Sequence, residues 1–372
     1  MRIVLKLTGA CNLRCGYCYA GRGGRVRRTD RRAMIRSFDT LVERVPRGKR
    51  DVVFFGGEPL LRFELLRAAV LAHPECAFTL NTNGTLLDAG TAGFLSRNGI
   101  SVSLALDGKT ETHDRHRRAA GGSPTHARVV RAFELLSKAG VPTAVRMTVT
   151  PASAGHVRDD ALYLAGIGVT QLGIAPAANI RWGPRPIQRL DGSLCALAAE
   201  YERGVKTGVL PRVSDFERAR EGRAAACNPG VDTMTIEPDG TVLPCHRSPV
   251  SNAARLIVDS AACSRCPALR DCTRCVPKLG SKRQGPQCRL KLAFARAYDI
   301  VRTANAGGNG RMEKYTVIEG KLYKIPPDVL KKYQLSEEDA HKAKAAGKAP
   351  KAPKAEPPLK GNWYELGESD CF

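Results

Sequence analysis

Thr8-Gly9-Ala10-Cys11-Asn12-Leu13-Arg14-Cys15-Gly16-Tyr17-Cys18 gathers three thiols in a C-x3-C-x2-C spacing. In the run before it, residues 2–8, Ile3, Leu5 and Leu7 alternate with polar or small residues, the period-two pattern of a strand. The thiols therefore fall on a loop just past the carboxyl end of a first strand. Thiolate ligands select iron–sulfur or zinc. A closed tetrahedral site takes four ligands, so three thiols leave one metal corner open for a substrate or cofactor.

Working outward, strands and helices alternate. Strand patterns at 51–55, 77–80, 101–106, 143–150 and 171–175 are interleaved with helical ones near 33–45, 63–72, 86–98, 126–139 and 159–167. That spacing means parallel β/α units. About six units are too few for a closed eight-fold barrel, so the expected fold class is α/β with an open, partial (β/α)6 barrel. In such barrels the reactive loops collect at the carboxyl ends of the strands. The cysteine loop, Gly56-Gly57-Glu58-Pro59, Asn83-Gly84 and Asp107-Gly108 all fall there.

The three-cysteine spacing, with Tyr17 before the last thiol, resembles the signature of radical S-adenosylmethionine (radical SAM) enzymes. The resemblance implies that Cys11, Cys15 and Cys18 hold a 4Fe-4S cluster. The fourth iron would be chelated by the amino and carboxylate groups of S-adenosyl-L-methionine. Reduction by a donor such as flavodoxin or ferredoxin would then release a 5′-deoxyadenosyl radical. Gly56-Gly57-Glu58-Pro59 looks like the family's GGEP motif, whose backbone bonds the methionine amino group, with Glu58 near it. Two glycines permit a close backbone approach, and Pro59 has no amide hydrogen to leave unpaired. Leu106-Asp107-Gly108, His113-Asp114-Arg115-His116-Arg117 and Gly121-Gly122-Ser123 resemble the SLDG…HDxxR…GGS segment. In relatives the serine and the arginine of that segment hold the methionine carboxylate. Arg117 keeps its place, but the serine position is Ala105. The nearest hydroxyl is Ser103, two residues back on the same strand face. Arg146, inside the fifth strand pattern, is a second carboxylate candidate or the half of a structural ion pair.

A second cysteine group begins at Cys227. Twelve residues lead to Gly240 and four more to Cys245, with Asp239-Gly240 reading as a hairpin turn between 233–237 and 241–243. Then come Cys263, Cys266, Cys272, Cys275 and Cys288. This order resembles the SPASM extension of peptide-modifying radical SAM enzymes, with its two auxiliary 4Fe-4S clusters; a pair of zinc knuckles is the other reading. By resemblance, Cys263, Cys266, Cys272 and Cys288 would complete the outer cluster. Cys227, Cys245 and Cys275 would hold the inner one. No further cysteine stands shortly before Cys227, so one inner iron is expected to be open to a substrate thiolate or to a filler such as water or His246. Cys195, on a helical pattern at 194–205, reads as a core thiol, and Cys76 belongs to no motif.

Composition fits this picture. The chain has 372 residues, 43% hydrophobic and 26% charged, and carries 13 cysteines. With no apolar run long enough to span a membrane and no signal sequence before Cys11, the expected compartment is the cytoplasm. There cysteines serve as metal ligands rather than disulfides. The net charge of +23 suggests an anionic partner. No basic stripe interleaved with aromatics is present, so nucleic acid is not the expected one. The usage of basic residues breaks sharply: residues 1–311 hold 40 Arg and 8 Lys, whereas 312–372 hold 11 Lys and no Arg. The expected organisation is a barrel over 1–180, linker helices and the SPASM domain over 181–306, a linker at 307–311, and a precursor-peptide-like tail over 312–372. Within the tail, 312–344 reads as leader, with a strand at 315–323 and a helix at 326–344. An Ala-Lys-Pro spacer follows at 345–360, then an acidic core at 361–372.

The expected function is a peptide maturase whose partner is this tail, or an equivalent peptide in trans. The first-choice product is a thioether from Cys371. The alternative is a carbon–carbon crosslink at Trp363-Tyr364-Glu365. A sulfatase-type formylglycine maturase is a third reading, which His246, in place of the aspartate such enzymes carry there, counts against. A non-catalytic metal scaffold that binds the peptide is the reading from another class.

Overall fold

In the computed structural model the described residues are 1–18, 29–46, 50–178, 180–221, 233–245, 286–305, 314–318 and 321–325. The chain divides into two compact units, Met1–Asn305 and Ala306–Phe372.

Nine strands among the described residues form the sheet of the first unit. Strands β1 (Arg2–Thr8), β2 (Asp51–Gly56), β3 (Ala77–Thr82), β4 (Ser101–Ala105), β5 (Thr143–Val149) and β6 (Gln171–Pro176) are neighbours in chain order. Every pairing among them is parallel. Helices fall between them: α1 (Arg31–Arg44), α2 (Phe63–Ala72), α3 (Ala89–Arg97), α4 (Thr110–Asp114), α5 (His126–Lys138) and α6 (Val157–Gly166). This is the expected open (β/α)6 sheet. The two-residue strand β7 (Arg212–Val213), too short to show a period and so not legible, extends the sheet beyond β6. The hairpin expected around Asp239-Gly240 is present as β8 (Thr233–Ile236) and β9 (Val242–Leu243), antiparallel to each other. What was not legible is the strand that β8 pairs with: it lies parallel to β1, on the side away from β2.

Alternation along each strand sorts the side chains. Ile3, Leu5, Phe54, Leu80, Leu104, Met147 and Ile174 join helix residues such as Phe38, Leu66, Leu95, Val129 and Leu164 in one continuous core. The intervening residues Lys6, Asn81, Ser103 and Thr148 are half-buried, and Arg146 is exposed. The sheet therefore has an apolar face under the helices and a polar inner face. Helix α1 starts two residues earlier than expected because Asp30 caps it, accepting from the Ala33 N–H at 3.0 Å. Helix α7 (Pro184–Lys206) is twice the length read from sequence. It packs with α8 (Ser214–Arg220) and α9 (Pro286–Asn305), where Phe216 meets Tyr298 edge-on at 6.0 Å. No helix among the described residues is long and apolar enough to cross a membrane.

In the second unit the expected single strand over 315–323 is instead two, β10 (Lys314–Ile318) and β11 (Lys321–Ile325), paired antiparallel. They are separated only by Glu319 and Gly320, the length of a two-residue hairpin connection. The helix expected at 326–344, the spacer and the core 361–372 lie outside the described residues.

Candidate functional site

The cysteine loop leaves β1 at Thr8 and is pinned before and behind. The Gly57 N–H donates to the Thr8 carbonyl at 2.8 Å and the Glu58 N–H to the Ala10 carbonyl at 2.9 Å. On the opposite side the Arg14 N–H donates to the Arg118 carbonyl, the Gly16 N–H to that of His116, and the Ala120 N–H to that of Asn12. The two glycines of the Gly56–Pro59 turn thus permit a close approach, but to the loop's own backbone. A Cβ on Gly57 would sit 2.0 Å from the Ala10 carbonyl oxygen. The turn's N–H groups being spent this way, carbonyl oxygen is what it can offer an ammonium group. Pro59 is buried and opens a short 3-10 turn over Pro59–Arg62.

Glu58 is fully buried and faces away from open space. Its carboxylate accepts from the Thr82 hydroxyl at 2.7 Å, the Asn83 N–H at 2.8 Å and the Leu60 N–H at 3.0 Å. Burial pushes its pKa up, and those three donors oppose the shift. Glu58, the position expected near the cofactor's amino group, ties the turn to the end of β3. From there Asn83 carries the connection onward: its Nδ2 donates to Asn12 Oδ1 at 2.9 Å and lies 3.9 Å from the Cys11 sulfur. The Asn12 amide reaches the Thr85 hydroxyl at 2.8 Å.

A second hub lies at the end of β4. Asp107, 1% exposed, accepts from Arg117 Nε at 2.9 Å and Nη2 at 3.0 Å, from the Thr148 N–H at 2.8 Å, and from the Tyr17 hydroxyl. Arg117 also lies over the Tyr17 ring, 5.3 Å from its centre. Burial alone would lower the Arg117 pKa, but Asp107 more than offsets it and the guanidinium stays charged. Burial likewise raises the Tyr17 pKa, so its hydroxyl is a donor. His113, also fully buried, is lowered to about 4 by burial and then by Arg117, and is neutral at pH 7. Asp114 accepts from the N–H groups of Thr125 and His126, at the start of α5.

The remaining sequence candidates separate as follows. Ser103 and Ala105 lie on the inner face of β4, and Arg146 pairs with Ala105 on one side and Gly173 on the other. Arg146 is exposed rather than a charge in a buried strand, because its position on β5 points to the polar face; its guanidinium would come within 2.8 Å of a Cβ on Gly173. Cys245 is buried at the end of the β8–β9 hairpin. Cys288 lies in the first turn of α9. Cys227, Cys263, Cys266, Cys272 and Cys275 lie outside the described residues, as do Trp363, Tyr364, Glu365 and Cys371. Cys195 is half-buried rather than a core thiol, 3.8 Å from an Asp191 oxygen, and its pKa is pushed up to about 12 by burial and then Asp191. Sequence reading passed over Asn12, Asn83, Thr85, Thr125 and Thr148 as contact residues. They are single polar residues in a loop, a turn, a strand and at a helix start, and no local pattern sets them apart from others like them.

With this geometry in hand, the comparisons place the chain. Residues 5–162 match the model of the Radical SAM superfamily, and that part of the chain is a radical SAM domain. Over 168 residues the chain is 32% identical to the cysteine-type anaerobic sulfatase-maturating enzyme of Clostridium perfringens (strain 13 / Type A), covering 42% of this chain and 45% of that one. Over 252 residues it is 26% identical to the sporulation killing factor maturation protein SkfB of Bacillus subtilis (strain 168), covering 65% and 59%. The chain thus spans about half the length of these curated relatives. The structure of native anSMEcpe with bound AdoMet matches with a TM-score of 0.69 at 21% identity, covering 82% of this chain and 98% of that chain. Streptococcus suis SuiB bound to precursor peptide SuiA gives 0.52 at 16%, covering 76% and 73%. At these identities the likeness is one of fold.

The radical SAM family uses a 4Fe-4S cluster and S-adenosyl-L-methionine, and the donor set fits them. Cys11 is exposed, Cys15 and Cys18 are half-buried, and all three are free thiols. Burial pushes the Cys15 pKa up to about 11; Arg117 opposes that shift, while Cys18 and Cys11 add to it. Burial raises Cys11 as well, with Glu58 and Cys18 contributing. Cys11 and Cys15, both raised in part by neighbouring thiols, are stabilised as thiolates by a cationic centre among them.

Proposed function

We propose that this chain is a radical SAM maturase that modifies a peptide. What supports the reading is the three-thiol loop, clamped at the carboxyl edge of an open β/α sheet whose inner face is polar. Cys11, Cys15 and Cys18 would each hold one iron. Arg117 would present its remaining nitrogen to the cofactor carboxylate, and the Gly56–Pro59 turn its carbonyl oxygens to the amino group. Bound there, cluster and cofactor supply one-electron chemistry that removes a hydrogen atom from a peptide carbon. Leu13 and Tyr17, 6% and 9% exposed, close the underside of the loop against water.

The first substrate is the chain's own end, 361–372, or an equivalent peptide in trans. The first product is a thioether from Cys371, with Trp363-Tyr364-Glu365 as the alternative crosslink site. SkfB, by its name a maturation protein for a sporulation killing factor, supports a peptide substrate. The sulfatase-maturating relatives support formylglycine formation equally, and the His246 argument does not outweigh them. A cytoplasmic setting, two auxiliary clusters and a flavodoxin or ferredoxin donor complete the proposal.

The test uses the full chain, rebuilt with iron and sulfide without oxygen, then given dithionite and S-adenosyl-L-methionine. A tail lighter by two hydrogens, with Cys371 closed to iodoacetamide, supports the thioether; the same loss with Cys371 still reactive supports the carbon–carbon crosslink. Conversion of an added sulfatase-type cysteine peptide to its aldehyde supports the second reading. Deoxyadenosine formation that Cys11→Ala does not abolish, or none at all, sinks the enzymatic reading and leaves the metal scaffold.

A further inference from the structure

The hydrogen bonds around Arg117 close into a ring. On one side the Asp107 carboxylate takes Nε and Nη2 of the guanidinium. On the other, the Asp107 main-chain N–H lies 3.3 Å from His113 Nδ1. A main-chain N–H only donates, so Nδ1 is the bare acceptor and the ring proton sits on Nε2. His113 Nε2 lies 3.1 Å from Thr125 Oγ1, to which it donates. The Thr125 hydroxyl then donates to the Arg117 carbonyl at 2.5 Å. Arg117 is thereby held at both ends, side chain and main chain, by the same residue of the β4 turn. His113 and Thr125 are 0% and 1% exposed, so water does not compete for these bonds. Arg117 Nη2 also reaches the Thr148 hydroxyl at 3.4 Å, whereas Nη1 has no hydrogen-bond partner among the described residues. The charge of Arg117 is felt at the Cys15 thiol.

The geometry points to His113 and Thr125 as positioning residues for the cofactor: through the Asp107–His113–Thr125–Arg117 ring they fix the guanidinium with Nη1 held ready for the carboxylate of S-adenosyl-L-methionine. This rests on the reading of Arg117 as the carboxylate partner. Asp107 fixes the guanidinium plane; the Arg117 N–H is already held by the His113 carbonyl at 2.9 Å, and the His113–Thr125 arm adds a buried hold on the Arg117 carbonyl. An arginine arriving already oriented gives up little conformational freedom when a ligand binds, which is where such an arm adds affinity.

The experiment uses the full chain, reconstituted anaerobically, and reads S-adenosyl-L-methionine binding from the change it makes in the cluster's electron paramagnetic resonance spectrum, with no turnover needed. Thr125→Val removes the hydroxyl and keeps the shape; Thr125→Ser keeps the hydroxyl. Expected are about tenfold weaker binding for Thr125→Val and near-normal binding for Thr125→Ser, both with unchanged iron content. His113→Phe, which removes both ring nitrogens, should match Thr125→Val and serves if the valine variant fails to fold. A folded, iron-loaded Thr125→Val or His113→Phe that binds the cofactor like the wild type overturns the proposal. Arg117→Lys separates this from the underlying reading: if it too binds normally, Arg117 is not the carboxylate partner at all.

Discussion

His113 sits where a second ring proton has no place. Its Nδ1 faces an N–H donor, its Nε2 proton is already used, and Arg117 lies nearby. Its pKa is near 6.5 in the unfolded chain and about 4 in the folded one. The depressed value means that the unfolded chain takes up a proton in this interval while the native protein does not. Its contribution is therefore full above pH 6.5 and is lost as pH falls toward 4. From the shift, that loss is on the order of 3 kcal/mol. Urea midpoints measured at pH 7.5 and pH 5 should differ more for the wild type than for His113→Phe; equal differences would contradict the assignment. At this scale the thiols were legible, because three cysteines so closely spaced on one loop suit a metal and little else. The hubs were not. Glu58 belongs to a motif read for its place near a cofactor, and nothing local announced that it also anchors the turn to β3. Nothing local announces that Asp107, in an ordinary strand-end turn, takes four hydrogen bonds.

The β8–β9 hairpin sits on α1 and β1 through polar contacts that only the folded arrangement reveals. The Asp30 N–H donates to the Pro238 carbonyl, and the Ser37 hydroxyl to the Gly240 carbonyl at 2.7 Å. Gly240 adopts φ +85, and a Cβ there would meet Ala33 atoms at 2.7 Å, so the turn requires glycine twice over. Lys6 and Glu237 form an ion pair at 2.6 Å with side chains only 18% and 10% exposed. Glu237→Gln should cost about 2 kcal/mol in chemical denaturation, because it strands a largely buried ammonium group. Lys6→Met on that background should recover most of the loss. The turn was readable from Asp239-Gly240 and the six β/α units from their alternating periods. The partner of β8 was not, since a strand of four residues carries no address.

The sheet of the first unit does not end at the strand that bears the thiols. β1 has β2 on one side and β8 on the other, and the helix that follows in the described chain, α9, contributes Phe294, Tyr298 and Val301 to the common core. A chain cut after Glu221 would lose both, although residues 5–162 already contain the whole region that matches the family model. Such a fragment, expressed without oxygen, should be largely insoluble or bind hydrophobic dyes, having an open strand edge and an uncovered α7. A soluble monomer with the wild-type melting temperature would refute this. Length and the family pattern suggested a barrel over 1–180; residues beyond 220 add a strand beside β1 and core side chains from α9, which no local pattern in the first 180 residues announces.

Because β1 is an interior strand, flanked by β2 on one side and β8 on the other, the two cysteine-bearing regions of this chain are not interchangeable cassettes. Anyone exchanging the carboxyl-terminal part for that of a relative would also be replacing a flank of the strand on which the first three sulfurs hang. A workable chimaera would need its joint placed with Lys6 and Glu237 taken from the same parent.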